Sequence, residues 1–396
     1  MSAVVSTELA DWAIKHRRHL HQYPELSGKE FETCQYIKQC LTDLNIDILD
    51  YEPPSVVGYL KGTEDAGTVA LRADIDALPI LEEGDKSYIS KRPGIAHMCG
   101  HDGHTAIMLA TAKWLSEHRD EVKPNVIFIF QSSEEDFPSG AEALVKQGVV
   151  DHADAVFGLH LMQSLPKGKV GVCHGMAMSA ADDFTITIQG KGGHGSMPHD
   201  TVDPTYIAGH IILALQSIVS RRLDPLFPAV VSIGKMEAGN AYNVIPDKVT
   251  IGGSIRSFSN ETRSAISHEM EKIVKGICQS YDAAGFVEFG WGAPPVVNDR
   301  EMSEYAKEII IKTFGETVYE RTGPMMASED FSYYLEKQKG AYLFVGMGGE
   351  KSTYPHHHPR FDIDEDTIPT AIELFVQIVT KFDSAISKRP QMNLNE

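Results

Sequence analysis

No stretch of the chain is long and apolar enough to span a bilayer, and its opening residues, MSAVVSTELADWAIKHRRHLH, hold no apolar h-region with a small-residue cleavage site. These absences predict a cytoplasmic protein with no membrane partner. Positive charge is scarce as well: 36 Lys plus Arg stand against 55 Asp plus Glu, a net charge of −19. That balance excludes a general affinity for nucleic acid or anionic lipid. The one dense basic run, Lys15-His16-Arg17-Arg18-His19, falls in a helical pattern and reads as a solvated face. Cysteines number only five, too few and too odd for a disulfide framework, so a reducing compartment or a thiolate with a chemical role is expected. The chain also lacks a phosphate-loop Gly-Lys-Ser/Thr, an H-E-x-x-H and a G-x-S-x-G elbow. What it does have is apolar bulk: 42% hydrophobic against 23% charged residues, over 396 positions. Disordered and fibrous classes are excluded, and the length suits two domains.

Helical and strand periodicities alternate from the start, which argues an α/β chain. Helices are expected over Glu8–Gln22 and Lys29–Leu44, near Thr105–Glu117 and over Ala141–Gln147. Apolar runs predict strands at Val56–Leu60, Thr68–Arg72, Asn125–Phe130, Ala155–His160 and Gly168–Cys173. Such alternation forms a sheet covered on both faces. From about Ala181 to Gly292 the order becomes strand (Phe184–Gln189), helix (Val202–Leu223), strand (Ala229–Glu237), strand (Lys248–Ser257), helix (Glu261–Tyr281), strand (Gly285–Trp291). That βαββαβ order is the ferredoxin-like split unit. It interrupts the α/β pattern, which resumes after Pro294-Pro295. The division expected is therefore 1–180 plus 294–396 as a main domain, with 181–293 inserted. The tail KRPQMNLNE is expected to fray.

Chemistry-bearing residues gather at four places: Cys99-Gly100-His101-Asp102-Gly103-His104, Glu134-Glu135-Asp136, His160 and His356-His357-His358-Pro359. Cys99 and His101 lie just before a helix, where glycines let both side chains turn toward one point, and thiolate with imidazole suits a borderline transition metal. Alone, Cys-x-His reads better as a buried thiol beside a capping histidine. Glu134-Glu135 follow a strand at its carboxyl end, where sites in α/β folds collect. Adjacent carboxylates repel unless they share a cation or proton, although a lone acidic run is usually a solvated turn. His160 is expected to end a strand on the same edge. Three such endings on one sheet edge favour a metal site. Gly190-Lys191-Gly192-Gly193-His194-Gly195 matches G-x-G-x-x-G, but Pro198 and Asp203-Pro204 postpone the helix that a dinucleotide site needs, so a nicotinamide oxidoreductase is disfavoured. Cys99 as a nucleophile fits its acidic and histidine neighbours less well than Cys99 as a ligand.

The chain resembles the metal-dependent aminoacylase and carboxypeptidase clan of amidohydrolases, and within it the branch of hippurate hydrolase, indole-acetyl-amino-acid hydrolases and N-acetyl-diaminopimelate deacetylase. The resemblance runs almost end to end through RRHLHQYPELSGKEFET, LRADIDALPI, HMCGHDGHTA, QSSEED, GLHL, GKGGHGSMPH, NVIPD, GGSIRSF, ASEDFSYY and HHHPRFDIDE. It implies a mixed-sheet, zinc-peptidase-like α/β catalytic domain with an inserted ferredoxin-like dimerisation or lid domain. It also implies two divalent metal ions per subunit, manganese or zinc with nickel a third candidate, held by Cys99, His101, Glu135, His160 and His357. His357 is chosen because it stands in the His-x-Pro pattern, which leaves His356 and His358 as bystanders. Glu134 carries over as general base, and His194, Asn243 and Arg256 match substrate-binding positions. The inserted unit is expected to dock on its counterpart, making a homodimer or a tetramer in which His194 reaches the partner's site and steadies an oxyanion. The clan's usual His-x-Asp appears here as Asp74-x-Asp76, with Cys99 compensating; Asp76 would orient a ligand and His104 would be packed. The activity implied is hydrolysis of N-acyl amino acids, the alternative being a dipeptidase or carboxypeptidase, with Arg256 clamping a free α-carboxylate. A non-catalytic metal-dependent binding protein on the same fold is the rival class, and Glu134 argues against it.

Overall fold

The computed structural model describes residues 5–52 and 54–387, so the tail from Lys388 lies outside the described residues. In chain order the elements are α1 (Thr7–Gln22), α2 (Phe31–Asp43), β1 (Asp47–Leu49), β2 (Val56–Leu60), β3 (Thr68–Asp74), α3 (His101–Glu117), β4 (Asn125–Gln131), α4 (Gly140–Lys146), β5 (Ala155–Pro166) and β6 (Val170–Val172). They continue with β7 (Gly175–Met178), β8 (Ala180–Gln189), β9 (Gly193–His194), α5 (Pro204–Ser217), β10 (Ala229–Ala238), β11 (Val244–Ile245), β12 (Lys248–Ser257), α6 (Asn260–Ser280) and β13 (Ala284–Gly290). The last are β14 (Val296–Asn298), α7 (Arg300–Phe314), β15 (Tyr319–Arg321), α8 (Ser332–Leu335), β16 (Gly340–Gly348), α9 (Ile368–Thr380) and α10 (Ser384–Ser387). The described residues divide into two compact units, one drawn from Met1–Ala177, Val297–Gly323 and Asp330–Glu396, the other from Met178–Val296 and Pro324–Glu329.

The first unit is built on a mixed sheet in the order β1-β2-β4-β3-β5-β16-β6-β15. Its centre, β4-β3-β5-β16, is parallel, and the flanking pairs β2–β4 and β16–β6 are antiparallel. After their first residue, β3 and β4 are buried throughout, as a strand covered on both faces must be. Helix α3 supplies much of that cover. From His101 to Ala112 every residue is buried, the sign of a helix inside a core and not on its surface. Ile107, Leu109 and Leu115 join Val69, Leu71, Phe128, Phe157 and the α9 residues Ile372 and Phe375 in one apolar cluster. Helix α1 is set by its Ser6 cap, whose hydroxyl accepts the Leu9 N–H at 3.2 Å.

The second unit has its own core. Its sheet runs β10-β12-β8-β13, all antiparallel, in the connection order strand, helix, strand, strand, helix, strand. Along β8 buried residues alternate with more exposed ones, and Phe184, Ile186 and Ile188 meet Ile207, Ile211 and Leu215 of α5 and Ile266, Met270 and Val274 of α6. Helix α5 starts two residues later than the apolar pattern predicts, because Asp203 accepts the Thr205 and Tyr206 N–H groups and Pro204 fills the first helical position. It ends earlier too, giving way to a π turn over Ile218–Arg222. Among the described residues no helix is long and apolar enough to cross a membrane. All five cysteines are free.

Candidate metal centre

Asp76 is the hub of the site. It follows β3, and its Oδ2 accepts three hydrogen bonds: from the N–H groups of Glu134 at 2.9 Å and Glu135 at 3.0 Å, and from Ser27 Oγ at 2.7 Å. The two glutamates sit in the turn after β4, so the β3 and β4 strand ends are tied together through one carboxylate. Burial works to raise the Asp76 pKa. The bonds from His101, the Glu135 N–H and Ser27 outweigh it and hold the group below the usual carboxylate range.

Gly100 takes φ 95° at the start of α3, a left-handed conformation that suits glycine, and so turns Cys99 and His101 inward from either side of it. His101 is the first residue of α3 and not, as its sequence suggests, a residue ahead of it. Its Nδ1 lies 3.0 Å from the Asp76 carbonyl oxygen and 3.1 Å from Asp76 Oδ1. A carbonyl can only accept, so Nδ1 carries a proton and Nε2 is aimed the other way. Nε2 is buried without a hydrogen-bond partner, 3.8 Å from Asp74 Oδ1, 3.9 Å from Glu135 Oε1 and 4.0 Å from Glu134 Oε2. Burial opposes a charge on this ring, but Asp74, Asp76 and Glu135 drive its pKa up to about 10. A nitrogen donor facing three carboxylates is a place built for positive charge.

His160 repeats the arrangement. Its Nδ1 donates to the Leu161 carbonyl at 2.9 Å, which leaves Nε2 as an acceptor 3.5 Å from Cys99 Sγ. Burial, then the neighbouring His104 and His356, hold the His160 pKa well below the ordinary value. Burial also raises the Cys99 thiol pKa, with Glu135, Glu134 and Asp74 adding to it. Without a cation Cys99 is thus a thiol beside a neutral imidazole, and a cation is what would make it a thiolate. One expectation fails here: His160 does not end its strand. β5 runs on to Pro166, because its pairing with β16 continues from His160 opposite Phe344 to Pro166 opposite Gly348.

His357 has φ 66°, and its N–H donates to the Met98 carbonyl at 2.7 Å, one residue from Cys99. Its Nε2 stands 3.2 Å from Glu135 Oε1, and that contact raises its pKa. Two donor triads result, Cys99–His101–His160 and Cys99–Glu135–His357, in each of which the donor atoms lie within 4.8 Å of one another. His104 also comes near, with Asp74 and His101, but both its ring nitrogens are engaged. Nδ1 donates to Asp74 Oδ1 at 2.6 Å and Nε2 accepts the Leu161 N–H at 3.0 Å. Asp74 is held likewise by Arg72 Nη1 at 2.6 Å. His356 donates to the Leu161 carbonyl at 2.9 Å.

The remaining sequence candidates lie in the second unit. His194 and Asn243 are neighbours on the small β9–β11 ribbon, where Gly195 N–H donates to the Asn243 carbonyl at 2.8 Å, and both side chains are exposed. His194 Nδ1 accepts the Ser196 N–H at 3.1 Å, so Nε2 bears its proton and is the donor. Arg256 is half-buried near the end of β12, opposite Val230 and Ala181. The run Gly190–Gly195 leads into β9 and no helix opens on it, so the dinucleotide reading has no support. Sequence reasoning missed Arg72. This buried cation bonds Asp74, Gln131 at 2.8 Å and Asp330 at 2.8 Å, and a lone arginine inside an apolar strand was the available signal.

Residues 70–381 match the model described as Peptidase family M20/M25/M40. The chain is 40% identical over 369 residues to N-acetylcysteine deacetylase of Bacillus subtilis, covering 92% of this chain and 95% of that protein. It is 38% identical over 383 residues to thermostable carboxypeptidase 1 of Saccharolobus solfataricus, covering 95% and 97%. A crystal structure of the Bacillus subtilis YXEP protein, described as a dinuclear metal binding peptidase from the M20 family, superposes with a TM-score of 0.83 at 36% identity, over 95% of this chain and 98% of that one.

Proposed function

Because the chain belongs to peptidase family M20/M25/M40 and is a metal-dependent hydrolase of amide bonds, we propose that it cleaves N-acyl amino acids into a carboxylate and a free amino acid. The observation that carries the reading is the pair of donor triads meeting at Cys99, with Glu134 beside them. Thiolate, imidazole and carboxylate together suit two divalent ions, zinc or manganese with nickel a third candidate. The residues that would hold them are Cys99, His101, Glu135, His160 and His357. Ions bound there supply Lewis-acid polarisation of the amide carbonyl and lower the pKa of water.

The chain's own groups do the rest. Glu134, 4.0 Å from His101 Nε2, takes the proton of the attacking water and returns it to the leaving amine nitrogen, so the C–N bond is exchanged for a C–O bond. Asp76 keeps His101 in the tautomer that presents Nε2. His194 donates from Nε2 to the developing oxyanion in the partner's site, which makes 181–293 a dimerisation unit and the assembly a homodimer or a tetramer. Asn243 and Arg256 hold the substrate, Arg256 through its α-carboxylate. Residues 1–180 with 294–396 then form the catalytic domain, and the cytoplasm is the site of action. Dipeptide or carboxypeptidase activity is the second reading, favoured by the carboxypeptidase relative.

Turnover of N-acetyl and N-benzoyl amino acids, of dipeptides, and of the same compounds amidated at the α-carboxylate tests this. N-acyl amino acids are expected to turn over fastest and the amidated compounds to react poorly. Hydrolysis of dipeptides alone moves the assignment to the second reading, and equal rates on amidated substrates remove the role given to Arg256.

A further inference from the structure

Beneath the turn that carries Glu134 and Glu135 lies a carboxyl group that the reaction does not use. Glu30 is fully buried at the start of α2, yet it caps nothing there: its side chain makes no bond to its own helix. That task falls to Glu25, which accepts the Thr33 N–H at 2.8 Å. Glu30 Oε1 instead reaches across to accept the Ser133 N–H at 2.8 Å, and Oε2 has no hydrogen-bond partner. Burying a carboxyl group with one oxygen unsatisfied opposes folding, so the contact it does make calls for an explanation. Ser133 supplies one. It holds φ 49°, a left-handed conformation costly for a residue with a Cβ and kept only where surrounding contacts impose it.

Three consecutive N–H groups thus pin one turn: Ser133 to Glu30, then Glu134 and Glu135 to Asp76. The Glu30 segment reaches the same place twice more. Ser27 bonds Asp76 Oδ2, and Gly28, at φ 73°, runs so close that a Cβ on it would stand 3.5 Å from Ser133 Oγ. Resting on the roles given above to Glu134 and Glu135, we propose that Glu30 is a positioning residue for the site. Its acceptor oxygen holds Ser133 in the left-handed conformation and thereby fixes where the two following carboxylates stand. The contact needs an oxygen, not a charge. Burial pushes the Glu30 pKa up to about 7, with the N–H groups of Ser133, Glu30 and Gly28 working the other way and Asp76 adding to the rise, and the group accepts the Ser133 bond in either protonation state. Glutamine therefore serves in its place and alanine does not.

The test compares Glu30→Ala and Glu30→Gln with the native protein. Three quantities are read: amide hydrogen exchange of Ser133–Glu135 in metal-free, substrate-free protein, the zinc and manganese dissociation constants by chelator competition, and kcat and KM on an N-acetyl amino acid. Glu30→Ala is expected to speed exchange in the turn while leaving β3 protected. It should weaken metal binding about tenfold or more and lower kcat with KM little changed, and Glu30→Gln should restore all three to within about threefold. Equal damage in both variants, or an alanine variant with native exchange, overturns the proposal. Should Glu30→Ala fail to fold, Glu30→Gln decides alone: near-native metal affinity and kcat support the acceptor role, and a tenfold loss in either refutes it. The exchange arm needs neither metal nor substrate, so an enzyme inactive on N-acyl amino acids would overturn the proposed function without disturbing the reading of the anchor.

Discussion

Replacing Asp76 with asparagine changes one atom and sets up a conflict that the structure makes explicit. Oδ2 faces three donors, the N–H groups of Glu134 and Glu135 and the Ser27 hydroxyl, while Oδ1 faces the His101 Nδ1–H at 3.1 Å. An asparagine has one acceptor oxygen and one NH2 group. Turning the NH2 toward the three donors breaks the Glu134-Glu135 turn. Turning it toward His101 sets a donor against Nδ1–H, where the Asp76 carbonyl at 3.0 Å still favours that proton. The second arrangement is the less costly, and it loses one charge-assisted hydrogen bond, about 1.5–3 kcal/mol. If that bond sets the direction and basicity of Nε2, the loss appears in metal affinity as roughly 10–100-fold, the range typical of partners behind metal-bound histidines. Chelator competition on Asp76→Asn reads it directly, with Ser27→Ala, which removes one donor of three, expected to cost about 1 kcal/mol of stability or less. Native metal affinity in a folded Asp76→Asn protein would refute the reasoning.

Other consequences are as specific. Arg17 is buried against Asp102 at 2.7 Å, Asp362 at 2.5 Å and Glu365 at 3.0 Å, so Arg17→Ala leaves buried Asp102 facing His21 at 2.9 Å without the guanidinium and should cost about 3–5 kcal/mol in urea unfolding; a loss under 1 kcal/mol would mean these contacts contribute little. Burial favours a neutral Glu82, but His21, Lys86 and the Ser90 N–H pull its pKa down to about 2. A depressed carboxylate contributes stability that is present above its unfolded pKa near 4.3 and fades as pH falls through the folded one. The Tm difference between the native protein and Glu82→Gln should therefore be full at pH 6 and vanish toward pH 2, and a difference that grows on acidification contradicts the assignment. His194→Ala and Glu134→Gln chains, each nearly inactive, should regain activity on subunit exchange because one site of the heterodimer then has both groups. Heterodimers that form and stay inactive would remove His194 from the partner's site.

The readable parts of the molecule were those whose cause is local. The alternating and continuous apolar runs place β2 at Val56–Leu60 and β12 at Lys248–Ser257 to the residue, since burial on one or both faces is written into adjacent positions. The far half of β5 was not readable. Gln163 and Ser164 look like a loop, and they are strand because β16 pairs beside them, a cause nearly two hundred positions away. The site divides along the same line. Cys99, His101, Glu134 and Glu135 stand at a helix start and a strand end, which sequence spacing reveals, and the fold brings them together with His160 and His357. The supports behind them were hidden. Arg72 depends on Asp330, and Glu30 on Ser133, so each looks like a misplaced charge until the partner is seen.

The central claim, two metal ions with Glu134 as the proton carrier, meets its most direct test in one paired measurement on the native protein and Glu134→Gln. Metal content per chain and the rate on an N-acetyl amino acid are determined on the same zinc- or manganese-loaded samples. Two ions per chain are expected in both proteins, with the rate of Glu134→Gln lower by about 10²–10⁴-fold. An active Glu134→Gln enzyme, or a native enzyme that turns over with fewer than two ions bound, would contradict it.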